Sequence, residues 1–194
     1  MIWACLRDMA LATGWIALIG ASWLASPAFA QAASSDLAAR MTDPGQWPMA
    51  ARDYANTRYS ELNQINTSNA SQLQIAWTFS IGADRGQEAA PIIIDGTMYV
   101  VGPYDGPYPN RVFALDATTG ELKWSYAPRP EPAAKGVACC DVVNRGLAFD
   151  NGKVFLNTLD NHTVAIDAKT GKELWKRYLG SQIAASNSAS CSGG

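Results

Sequence analysis

Two adjacent cysteines open the run Cys139-Cys140-Asp141-Val142-Val143-Asn144-Arg145-Gly146, which sets thiols, an acid, an amide and a guanidinium side by side. A disulfide between sequence neighbours closes a small ring around one peptide bond and forces that bond from its relaxed planar geometry. Such strain persists only where the surroundings enforce it, and it concentrates at functional sites. The competing reading is two reduced cysteines buried in a strand as small hydrophobes. Spacing alone favours neither.

Composition excludes other chemistries. His162 is the only histidine, so neither a His-based triad nor a multi-histidine metal site is available within this chain. The net charge is −2 and no basic patch stands out, so no nucleic-acid partner is expected. Asp116 and Asp167 sit in repeated turns and read as turn-formers rather than acids. Asp141 and Asn144 read as loop-holders through Asx-type bonds. His162, in Asp160-Asn161-His162, reads as an exposed turn residue. Glu88 and Arg145, taken as bare residues, form an ordinary solvated rim pair.

The elements that position these residues begin with an export signal. Arg7 precedes an almost wholly apolar stretch, 9–24, and Ala28-Phe29-Ala30 matches a small-x-small cleavage site. A membrane anchor is the alternative, but the glycine, the Ser-Pro and the A-x-A ending favour a cleaved signal over residues 1–30. The mature chain would start near Gln31, with no stable membrane anchor left. It would lie in an oxidising compartment, where a Cys139–Cys140 bond could form and persist. Cys5 leaves with the signal, and Cys191 stays unpaired.

Short strands follow. Residues 73–79, with Trp77 and Phe79, alternate as a strand does. Residues 90–94 and 97–101 flank Asp95-Gly96, the strongest short hairpin signal. Residues 111–115 form a further strand.

An internal repeat then appears. Ala114-Leu115-Asp116-Ala117-Thr118-Thr119-Gly120 with Trp124 matches Ala165-Ile166-Asp167-Ala168-Lys169-Thr170-Gly171 with Trp175. The Asp, Gly and Trp pairs each lie 51 positions apart (116 to 167, 120 to 171, 124 to 175). A hairpin signal precedes both copies, and Trp77 looks like the end of an earlier one. A period near 50 built from short strands, with glycine and aromatic marks, is the signature of β-propeller blades. The fold class expected is all-β, a partial β-propeller of about three blades over residues 31–180. Closed propellers need about four to eight blades. Residues 181–194 have the composition of a disordered tail, so the chain reads as interrupted.

Here the residues resemble a known family. The Cys139-to-Gly146 string and the A-x-D-A-x-T-G-x(3)-W repeats are similar to the periplasmic quinoprotein alcohol dehydrogenases of the methanol/ethanol type. Supporting marks are Arg58-Tyr59-Ser60, Gln64-Ile65-Asn66, Ala76-Trp77-Thr78-Phe79 and Gly86-Gln87-Glu88. The resemblance covers about residues 46–180. It implies an eight-bladed propeller carrying pyrroloquinoline quinone (PQQ) near its axis over a metal ion, Ca2+ or a lanthanide. It implies that Cys139 and Cys140 form a vicinal disulfide packed on one face of the cofactor. Arg145 would reach the quinone oxygens, where a permanent cation stabilises developing negative charge. Glu88 would hydrogen-bond the cofactor edge. The reaction implied is oxidation of a primary alcohol to the aldehyde, with cytochrome c as electron acceptor and the periplasm as location.

The departures from that family also carry expectations. Its catalytic aspartate, its metal ligands and the tryptophan on the other cofactor face lie beyond these 194 residues. No catalytic or metal-binding residue is therefore assigned here, and the polypeptide alone is expected to be inactive. A frameshift or early stop would account for the tail. The alternative reading is a non-catalytic exported propeller, a scaffold or assembly module, which needs no adjacent cysteines.

Overall fold

The computed structural model describes residues 36–83, 86–103, 110–136 and 142–180. Two four-stranded antiparallel sheets carry the fold, each wound in sequence order. The first comprises β1 (Ile92–Ile94), β2 (Thr97–Gly102), β3 (Arg111–Asp116) and β4 (Leu122–Tyr126). The second comprises β5 (Ala148–Asp150), β6 (Lys153–Asn157), β7 (His162–Asp167) and β8 (Glu173–Tyr178). These are two blades of a propeller, as the repeat requires.

Local chemistry explains each turn. Asp95 and Gly96 take φ of 48° and 70°, and Asn151 and Gly152 take 44° and 70°. Two consecutive left-handed residues make the turn whose twist matches the flanking strands, which is why Asp/Asn-Gly occurs there. At the next turn Asp116 Oδ1 accepts from the backbone N–H of Thr118 (3.0 Å) and Thr119 (3.1 Å). Asp167 Oδ1 does the same for Lys169 (3.1 Å) and Thr170 (2.8 Å). Both aspartates thus form turns, as expected. A register shift follows Ala114 in one sheet and Ala165 in the other, at equivalent repeat positions.

The core lies between the two sheets. Ile92, Val101, Val112 and Ala114 of the first meet Val154, Leu156, Val164 and Ile166 of the second, all essentially inaccessible. Burying each large aliphatic side chain contributes about 1.5–3 kcal/mol, more than an exposed ion pair supplies. Polar stitches then fix how the sheets meet. Tyr99 Oη and Trp124 Nε1 both donate to the Ala168 carbonyl, each at 3.0 Å. Tyr126 Oη donates to Glu173 Oε2 at 2.5 Å. Burial and that carboxylate push the Tyr126 phenol well above its usual range.

Residues 73–79 depart from the expected strand: they join no ladder. Their alternation is real, but it serves packing across the first sheet. Trp77 lies on Gly120, Phe79 meets Phe113 edge-on with centroids 5.2 Å apart, and Ile81 lies against Gly102. A strand needs a hydrogen-bonded neighbour as well as a pattern, and among the described residues none lies alongside. Leu73 and Ile75 are accordingly exposed.

The chain before these blades braces the first sheet. Trp47 exchanges two backbone hydrogen bonds of 2.8 Å with Ile93 at the outer side of β1. A helix over 36–42 carries Arg40, whose guanidinium binds Asp95 at 2.8 Å and sits 5.6 Å from the Phe149 ring centroid. The signal over 1–30 and the tail over 181–194 lie outside the described residues.

Candidate functional site

The segments that lead into β1 and β5 come together. Gly86, at φ 69°, brings its chain so close that a Cβ there would meet Val143 Cγ2 at 3.2 Å. Left-handed backbone without a side chain is what glycine supplies. Next to it Gln87 Nε2 donates to the carbonyls of Ala89 (3.1 Å) and Val101 (3.2 Å), tying the segment to β2. Glu88 follows, between this anchor and buried Ala89.

The facing segment is anchored as firmly. Val142 and Leu147 are buried. Asn144 Oδ1 accepts from Gly146 N at 3.0 Å, the Asx-type bond expected of it, while its Nδ2 donates to the Asn157 carbonyl at 3.0 Å. Arg145 stands between these tethers. Its Nε lies 3.3 Å from Glu88 Oε2. The two side chains remain 73% and 47% exposed, so the pair faces open space.

The structure therefore brings Glu88 and Arg145 into contact. Cys139, Cys140 and Asp141 lie outside the described residues. Among the described residues no group of three or more His, Cys, Asp or Glu side chains converges as a metal site would. A fixed cation beside a carboxylate, exposed where two blades' first strands begin, fits the oxygen-rich edge of a planar anionic cofactor such as PQQ.

His162 differs from expectation. It opens β7 rather than sitting free in a turn, and its side chain is only 24% exposed. The ring packs on Tyr178, centroids 5.3 Å apart, with Nδ1 3.1 Å from Asp160 Oδ2 but not aligned as a hydrogen bond. Asp160, legible in the sequence only as part of the turn before His162, holds a larger place in the structure. Its carboxylate is 6% exposed and takes the Thr158 hydroxyl, the Glu131 backbone N–H (3.1 Å) and Lys176 Nζ (3.6 Å). Burial would raise its pKa, but these donors and the lysine charge hold it below the usual carboxylate range. No local motif announces such a cluster, because Glu131 is distant in sequence. Asn110 and Asn161, both left-handed and 51 apart, also extend the repeat and were legible from spacing alone.

Comparison with known proteins identifies the fold and the family. Residues 47–178 match the family described as "PQQ: Glucose/ethanol/alcohol dehydrogenase, beta-propeller domain". The lanthanide-dependent methanol dehydrogenase of Methylacidiphilum fumariolicum is 55% identical over 146 residues, covering 74% of this chain and 23% of that protein. The quinohemoprotein alcohol dehydrogenase ADH-IIG of Pseudomonas putida is 42% identical, covering 88% of this chain and 23% of its own length. A solved europium-containing methanol dehydrogenase superposes with a TM-score of 0.69 at 53% identity, over 75% of this chain and 25% of that one. The chain spans about a quarter of the length of these relatives. With the match running through both blades, this chain belongs to the PQQ-dependent alcohol dehydrogenase β-propeller family.

Proposed function

We propose that this chain is the N-terminal part of an exported, periplasmic PQQ-dependent alcohol dehydrogenase that oxidises a primary alcohol, such as methanol or ethanol, to the aldehyde. The observation that carries the reading is the Glu88–Arg145 pair, held at 3.3 Å where two neighbouring blades begin. The quinone, when bound, supplies the acceptor for the alcohol's hydride. Arg145 would hold its oxygens and keep a permanent positive charge beside them. Glu88 orients that guanidinium from the Nε side and meets the cofactor edge. Cys139 and Cys140, which lie outside the described residues, would cover one face if joined as a vicinal disulfide. Calcium or a lanthanide, the catalytic aspartate and the site for cytochrome c belong to the remaining blades, so the 194-residue polypeptide by itself is inactive.

Titration of the metal-loaded, quinone-free complete protein with PQQ tests this reading. Wild type should bind stoichiometrically, and Arg145→Ala should weaken binding about tenfold or more, the size of a lost charged hydrogen bond. Equal affinity in the variant would remove Arg145 from the site. Alcohol-dependent dye reduction by the purified 194-residue chain would overturn its inactivity.

A further inference from the structure

The connection from β4 to β5 spans 127–147 and, among the described residues, holds one short turn, Pro132–Gly136. Connections this long are uncommon in compact domains and usually serve function. Its two described limbs return to a single place, the end of β6 and the turn that follows it. On the first limb Glu131 N donates to Asp160 at 3.1 Å. On the second, Asn144 donates to the Asn157 carbonyl at 3.0 Å and brackets Arg145 through Gly146. Asp160 cannot swing: its side chain is 6% exposed, and Thr158, His162 and Lys176 enclose it. A charge so buried persists only when partnered. Arg145, by contrast, is 73% exposed, and a solvated ion pair alone is too weak to fix it.

We propose that Asp160 is a positioning residue for Arg145: by holding Glu131 while Asn157 holds Asn144, the end of β6 and the turn that follows it clamp both limbs of the connection and set where the guanidinium stands. The assignment rests on the reading of Arg145 as a cofactor-holding residue, and it adds a device that acts through the backbone.

Two variants remove the same hydrogen bond from opposite sides. Asp160→Ala deletes the acceptor, and Glu131→Pro deletes the donor while leaving the buried carboxylate with its other partners. In the complete protein without quinone, both should speed amide hydrogen exchange over 133–136, the positions that keep an N–H in either variant. Both should also weaken PQQ binding about tenfold, the scale of one hydrogen bond to a charged group. In an Arg145→Ala background that loss should shrink below about twofold, because the effect runs through Arg145. A merely structural role would give equal losses in both backgrounds and would overturn the proposal, as would unchanged exchange in Glu131→Pro. Failure of the wild-type protein to bind PQQ at all would overturn the functional reading and this assignment together, whereas unchanged exchange sinks this assignment alone.

Discussion

The indole of Trp124 lies flat against Gly171 of the next blade, so close that a Cβ on that glycine would stand 2.7 Å from Trp124 Cδ2. Trp77 relates to Gly120 in the same way, at 2.5 Å. Trp77 and Trp124 thus fill the space left by the glycine of the blade that follows each, and Trp124 adds a hydrogen bond to Ala168. Trp175, the third of the series, is 43% exposed.

Gly171→Ala should therefore lower stability doubly. The residue has φ +72° and no room for a methyl group, so strain and overpacking together cost about 2–5 kcal/mol. Gly152→Ala, at φ +70° with nothing within 4 Å, should cost only the backbone share, about 1–2 kcal/mol. Thermal unfolding of the complete protein separates the two, and equal losses would mean that the indole contact contributes nothing.

The Ala168 carbonyl has two donors, Tyr99 and Trp124. Tyr99→Phe should cost about 1 kcal/mol, since one donor remains. Combining it with Trp124→Phe leaves the carbonyl unsatisfied beneath the blades, so the double variant should lose more than the sum of the singles. Strict additivity in denaturant titrations would contradict the shared acceptor.

Acid should weaken the blades through their turn aspartates. Hydrogen bonds from Thr170 and backbone amides hold Asp167 below its ordinary value, and the amides of Thr119 and Thr118 do the same for Asp116. A depressed pKa means that the folded state favours the ionised form. The contribution is then complete above the unfolded value near about 4 and lost as pH falls through the lower folded value. Melting temperature should be flat near neutrality and drop below about pH 4. Asp167→Asn, which keeps an acceptor for the turn amides, should make that drop shallower, and an unchanged profile would exclude Asp167 as a source.

Stability and cofactor binding should part at Arg145. Its pair with Glu88 is solvent-exposed, and such pairs contribute about 0–1 kcal/mol. Arg145→Lys should leave the melting temperature nearly unchanged yet fail to restore full PQQ affinity, because an ammonium cannot reproduce the planar fork. Full affinity in the lysine variant would show that charge alone suffices.

The proposed vicinal disulfide has a direct readout in mass. Trypsin releases residues 136–145, which hold Cys139 and Cys140. Without reductant this peptide should resist alkylation and be lighter by two hydrogens, then take two alkyl groups after reduction. Alkylation before reduction would show free thiols.

What the sequence determined by itself was what a few neighbouring residues decide. Asp95-Gly96 dictates its hairpin because left-handed backbone is inexpensive there, and Asp116 and Asp167 cap turns whose donors lie within three positions. The 51-residue spacing turned those local units into blades. The tertiary structure decided what depends on distant partners. Residues 73–79 alternate like a strand yet pair with nothing described, since a ladder needs a neighbour. His162 is drawn in beside Asp160, whose amide donor Glu131 lies across the blade connection. Glu88 and Arg145 were each legible as candidates, but their contact exists only because stacked sheets bring the approaches to β1 and β5 together. Hydrogen bonds within a turn are written into adjacent residues, whereas contacts between blades follow from the burial that stacks one sheet on the next.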